Sequence, residues 1–149
     1  MLATLPVGPW HNKCQWADNP HWKTASLRPK TPFMKRIHSH LIGVEQGTLN
    51  LFSDFEDNGP MWVEEGQRRH ETPVSFSEPF REPPSVHVGF AMWDMDSTPN
   101  QRARLAAEDV SETGFKLVFR TWGDSRVARI GANWLAIGPL KDDLDWDVE

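Results

Sequence analysis

Residues 114–138 read GFKLVFRTWGDSRVARIGANWLAIG, and their periodicity decides the fold. Successive strand side chains point to opposite faces, so a half-buried strand alternates apolar and polar residues with period two. In GFKLVFRTW (114–122), Phe115, Leu117 and Phe119 fall on one face, opposite Lys116, Val118 and Arg120. RVARIGANWLAIG (126–138) continues the pattern, with Ala132, Trp134 and Ala136 alternating toward a core. Between the two runs, TWGDS (121–125) holds turn residues around one tryptophan.

Working outward, LIGVEQGTLNLF (41–52) alternates from Leu41 to Val44 and from Thr48 to Phe52, which predicts a strand broken near Gly47. ETPVSFSEPF (71–80) predicts a short strand with Val74 and Phe76 on one face. PPSVHVGFAMWDMD (83–96) places Val86, Val88 and Phe90 opposite His87, Gly89 and Ala91, and RARLAAEDV (102–110) completes the set. Six short strands separated by turn signals, with no convincing helix, predict an all-β sandwich or barrel.

The flanks differ in composition. Residues 1–40 contain Lys13, Lys23, Arg28, Lys30, Lys35 and Arg36 against Asp18 alone, with five prolines and scattered Trp10, Trp16 and Trp22. Neither period runs through the first 33 residues, which predicts an irregular basic leader over 1–40, with Met34 an alternative start. The expected domain is 41–138, and 139–149 forms an acidic tail with Asp142, Asp143, Asp145, Asp147 and Glu149. Six cations spread without a stripe fit a solvated leader better than a nucleic-acid arm, so no nucleic-acid partner is expected. The net charge is −5. A single cysteine, Cys14, excludes an internal disulfide framework and a Cys-rich zinc site. No apolar run reaches the roughly 18 residues of a membrane span. No signal peptide is legible at the N-terminus. The expectation is a soluble protein of unknown location, with an extracellular or particle-associated role by a leaderless route left open.

FSEPFREPPSVHV, SETGFKLVFRTWGDS and ANWLAIG together resemble the H-type lectin domain of snail agglutinins and discoidins. The resemblance covers about residues 42–138. It includes Gly43 to Gly47, the paired Pro83 and Pro84, Arg102 after a polar loop, the Gly114–Phe115 turn, Thr121–Trp122 and the closing Trp134–Ile137. It implies a six-stranded antiparallel sandwich that assembles as a trimer, with a hexamer as a variant. It also implies shallow sites between protomers for terminal galactose or N-acetylgalactosamine, with a role in cell adhesion. No cofactor, metal or catalytic residue is implied. The family's sugar-binding arginine falls on Arg102 and its tryptophan on Trp122. A histidine of the snail lectin falls on Gly123, a second aromatic near Ala128, and an aspartate near Glu65. Leu51 and Phe119 stand where that lectin has its disulfide.

Sugar recognition needs an aromatic face for the C–H side of the ring and fixed donors for its hydroxyls. Arg102, Trp122, Gly123, Asp124 and Arg68 are the candidate sugar-binding residues. Each has a plainer reading. Trp122 could anchor a core, Arg102 could pair with Glu108 or Asp109, and Gly123 could serve a positive-φ turn. Asp124 could cap that turn, and Arg68 and Arg69 could be solvated. Trp134 reads as core, while Trp62 and Trp93 stay unranked between packing and binding.

Further constellations are weaker. His38 and His40 lack a third ligand. Asp54, Glu56 and Asp57, like Asp94 and Asp96, lack the spacing of a calcium loop and read as turn residues. Asp94/Asp96 and Asp124/Glu65 are the carboxylate pairs a glycosidase would need, yet no shared purpose is legible, so no enzyme is expected. The alternative to a lectin is a structural or attachment module of a fibre or phage-like particle with little sugar affinity.

Overall fold

The computed structural model describes residues 34–141. The chain divides into two units, Met1–Lys35 and Arg36–Glu149, and the strands among the described residues belong to the second. The leader through residue 33, with Cys14 and three of the tryptophans, and the acidic residues from 142 onward lie outside the described residues.

Six strands form two three-stranded antiparallel sheets, so the all-β sandwich expected from the period-two pattern is the observed fold. β1 (Ile42–Ser53), β6 (Val127–Pro139) and β3 (Ser85–Met95) make one sheet with β6 central. β2 (Arg68–Ser75), β5 (Gly114–Thr121) and β4 (Arg104–Glu108) make the other with β5 central. The two strands with the clearest sequence patterns are thus the two that pair on both edges. A central strand has the most apolar surface to bury, which is why its pattern is the strongest.

The inner faces meet in one core of Leu117, Phe119, Ile130, Ala132, Trp134 and their neighbours. At one end Phe76, Phe80, Phe115 and Trp134 pack ring against ring, with Phe76–Phe80 edge-to-face at 5.0 Å. At the other, Phe119 takes Phe52 at 5.4 Å and Phe90 at 6.4 Å. Leu51 and Phe119 are both buried in this core.

Several expectations are corrected. β1 is continuous through Gly47. That residue is glycine because the Trp134 indole lies across from it, and an added Cβ would sit 2.8 Å from Nε1. The register of β1 shifts instead between Asn50 and Phe52. β2 starts three residues earlier than predicted and ends at Ser75. Phe76 carries the register one bond further, its N–H donating to the Thr113 carbonyl, before the Thr113 N–H turns to Ser111 Oγ; its ring joins Val74 on the core face, as expected. A four-residue helix, α1 (Pro60–Val63), was absent from the expectation because it is shorter than the helical period needs to show itself. Tertiary contacts hold it: the Asp54 carboxylate accepts from the Met61 N–H at 2.9 Å, and Met61 is buried.

Among the described residues no helix is long and apolar enough to cross a membrane.

Candidate functional site

The end of β5 and the loop that follows it build the site around Arg102. Gly123 has φ +69°, a conformation that favours glycine, and it turns the chain between Trp122 and Asp124. The same glycine makes room for Arg102, since a Cβ there would lie 2.9 Å from Nη1. Arg102 Nη1 donates to Asp124 Oδ1 across this gap. That bond holds the Asp124 carboxyl below the usual carboxylate range, with the positive charge of Arg102 acting in the same direction. The guanidinium is therefore fixed in direction while Asp124 keeps half its surface in solvent.

The backbone of Arg102 is held as firmly. Its N–H donates to Ser125 Oγ at 3.1 Å, and its carbonyl accepts from Thr121 Oγ1 at 2.6 Å. Ser125 Oγ in turn donates to the Asn100 carbonyl at 2.6 Å. Both hydroxyl residues are buried. These positioning residues were not singled out from the sequence. The signal available was two hydroxyls flanking a Trp-Gly-Asp turn, which by themselves predict only local capping.

Trp122, beside Gly123, is 39% exposed and makes no ring contact among the described residues. Its indole is thus far less enclosed than that of the core residue Trp134, which is 9% exposed. Arg102 pairs with neither Glu108 nor Asp109. Glu108 is held by Arg69 and Arg120, and Asp109 pairs with Lys116.

Arg68 departs from its expected place. It is only 6% exposed and faces inward at the start of β2. Its guanidinium donates to the carbonyls of Ser125 at 2.6 Å, Met61 at 3.1 Å, Gly66 at 3.3 Å and Gly123 at 3.4 Å. Burial pulls its pKa down, opposed by nearby Glu64 and Glu65. The fork thus ties the α1 loop to the Trp122–Ser125 loop, helped by the Gly66 N–H on the Gly123 carbonyl at 2.9 Å. Arg68 positions the site's loops instead of lining a cleft. Arg69 faces the other way, paired with Glu71 and Glu108.

Other expectations find plain places. Ala128 is 4% exposed, so no side chain there reaches a surface site. Trp62 packs half-buried against Phe55 at 4.9 Å, and Trp93, largely exposed, packs edge-on to Phe90 at 5.7 Å. Asp94 lies within β3 and pairs across the sheet with Arg129, against the turn expected for it, whereas Asp96 accepts from Thr98 as a turn residue does. Among the described residues no three His, Cys, Asp or Glu side chains converge as a metal group. A separate shallow depression lies on the outer face of β1, β6 and β3, lined by Gln46, Thr48, His87 and Asn133.

Residues 71–137, which carry Arg102, Thr121, Trp122 and Ser125, match the model of the H-type lectin domain. The chain belongs to the H-type lectin domain family. A protein called ATP synthase subunits region ORF 7, from Fuscovulum blasticum, is 51% identical to it over 108 residues, which is 72% of this chain and 94% of that protein. The fold of this H-type lectin domain is similar to that of recombinant discoidin II from Dictyostelium discoideum. That likeness has a TM-score of 0.58 at 22% identity and covers 67% of this chain and 38% of that one. Wild-type discoidin II gives the same TM-score and identity over 66% and 37%. The lectin domain here thus spans well under half the length of the discoidin chain it matches.

Proposed function

We propose that this lectin binds carbohydrate, taking a terminal galactose-type sugar such as N-acetylgalactosamine at Arg102, Trp122 and Asp124. The observation that carries the reading is the Arg102 guanidinium fixed by Asp124 over Gly123, beside an open indole. A galactose ring presents a C–H face to stack on Trp122, and its hydroxyls accept from the free edge of Arg102 and donate to Asp124. No covalent step is involved. Asp124 stays ionised through its bond to Arg102, the opposite of the raised carboxyl a glycosidase acid needs.

The site is shallow and has one ring, because Gly123 and Ala128 replace the histidine and second aromatic of the snail lectin. A single sugar is therefore held weakly. Avidity comes from several sites on a trimer, with a neighbouring protomer completing each site. The outer face of β1, β6 and β3 supports assembly: beyond the Asp94–Arg129 pair at one end, its outward positions, among them Val44, Thr48, Asn133 and Ile137, carry no Asp, Glu, Lys or Arg. Copies can meet there without stripping water from a charge.

A glycan array of terminal galactose and N-acetylgalactosamine tests the reading, paired with Arg102→Ala and Trp122→Ala. Binding by the native protein is expected, lost in both variants while thermal unfolding stays close to native. A dark array at high protein concentration sinks the proposal. Collapse of Trp122→Ala would return that residue to a packing role.

A further inference from the structure

The outer face of the second sheet carries an arrangement that Arg102 and Trp122 do not use. In register, Arg69 lies opposite Arg120, and Arg120 lies opposite Arg104, so three arginines stand side by side across β2, β5 and β4. Neighbours in such a row are about 4.5–5.5 Å apart at Cα, and like charges directly opposite one another destabilise a sheet. Two carboxylates offset the row. Glu108 accepts from Arg69 Nη2 at 3.1 Å and lies 2.9 Å from Arg120 Nη2, and Glu71 pairs with Arg69 Nη2 at 2.8 Å. Val118, which faces outward between Glu71 and Ala106, is nonetheless 1% exposed, as expected beneath the stems of such long side chains.

The compensation is lopsided. Both carboxylates sit toward Arg69. Arg120 engages Glu108 through Nη2 alone, leaving Nε and Nη1 without a carboxylate. Arg104 is exposed and has no ion-pair partner among the described residues. Two adjacent guanidinium forks with free donors match the planar or tetrahedral oxygens of an anion, which can bridge them bidentately. The place is also specific. Arg120 stands two residues before Trp122, about 7 Å along the strand direction, so a ligand stacked on the indole has the row within reach of a ring substituent or the next sugar.

We propose that Arg104 and Arg120 form an anion subsite that receives a sulfate ester or carboxylate carried by the glycan bound at Trp122. The inference rests on the sugar-binding reading of Trp122 and extends it to acidic glycans. The bound oxyanion replaces the missing third carboxylate of the row, so it both adds affinity and relieves repulsion within the sheet.

The test uses the full chain and Arg104→Gln in two arms. In the first, galactosides bearing a sulfate or a sialic acid carboxylate are compared with neutral galactosides. A preference of about tenfold is expected from one charge-assisted contact pair, falling to about one in Arg104→Gln while neutral binding is kept. Sulfated and sialylated probes separate the two sources of the anion. In the second, thermal unfolding is followed in sodium sulfate and in sodium chloride at equal ionic strength. Sulfate is expected to stabilise the native protein more than Arg104→Gln. Equal acidic-to-neutral ratios in the two proteins overturn the proposal. So does a change in oligomer mass on substitution, which would assign Arg104 to a contact between copies. If neither protein binds any galactoside, the sugar reading falls. The sulfate arm then decides the anion site by itself, upheld by a difference between the proteins and overturned by equality.

Discussion

Replacing Arg68 by lysine keeps the charge and most of the length but removes the planar fork. In the native protein that fork reaches four backbone carbonyls, and the bonds to Ser125 at 2.6 Å and Met61 at 3.1 Å are the strong ones. The contacts with Gly66 at 3.3 Å and Gly123 at 3.4 Å are longer and count for less. Hydrogen bonds to a charged group contribute about 1.5–3 kcal/mol each, and an ammonium can hold one of the two short ones. Arg68→Lys should therefore cost about 2 kcal/mol, and Arg68→Ala, which leaves both carbonyls unmet, about 3–5 kcal/mol. In a domain of roughly 100 residues, 2 kcal/mol lowers Tm by about 10 °C. Circular dichroism melts measure this directly. Binding should fail alongside, because the α1 loop and the Trp122–Ser125 loop lose their common tie. If Arg68→Lys melted like the native protein and bound the array equally well, the claim that one buried guanidinium assembles the site would be refuted.

Three further outcomes follow from the same geometry. Gly123→Ala places a Cβ at positive φ and 2.9 Å from Arg102 Nη1, so it should cost about 1–2 kcal/mol in chemical denaturation and displace Arg102, abolishing sugar binding. Gly47→Ala drives a methyl group against the Trp134 indole, and about 1–3 kcal/mol of destabilisation with an altered near-ultraviolet signal is expected. Because the pKa of Asp124 is depressed in the fold, the Arg102 pair is complete above the unfolded value near 3.9 and is lost as pH falls through the folded value. Titration calorimetry should thus find sugar affinity steady down to about pH 5 and fading only below the ordinary carboxylate range, whereas Asp124→Asn should be weak at every pH.

Much of this architecture is local and so was legible in the residues. Period-two alternation placed β5 and β6, and the Trp-Gly-Asp turn marked where β5 ends. A resemblance then put Arg102 and Trp122 in one site. The failures share a cause. The strand expected over 71–80 stops at Ser75, because the Thr113 N–H turns to Ser111 Oγ where the ladder would have continued. Arg68 looked like a surface cation, since arginine is usually solvated and nothing nearby in the chain accounts for its burial.

What decided Arg68 lies 57 residues away, at the Ser125 carbonyl, and no local period can report a contact of that separation. The arginine row is the same kind of fact. Arg69, Arg104 and Arg120 are unremarkable in three separate strands and become neighbours only through pairing register. Alternation along one strand determined which face each side chain takes, because backbone geometry repeats every two residues. Which carbonyls converge on Arg68, and which charges meet without enough partners, was decided when distant strands paired and their loops met, because those distances belong to no single segment.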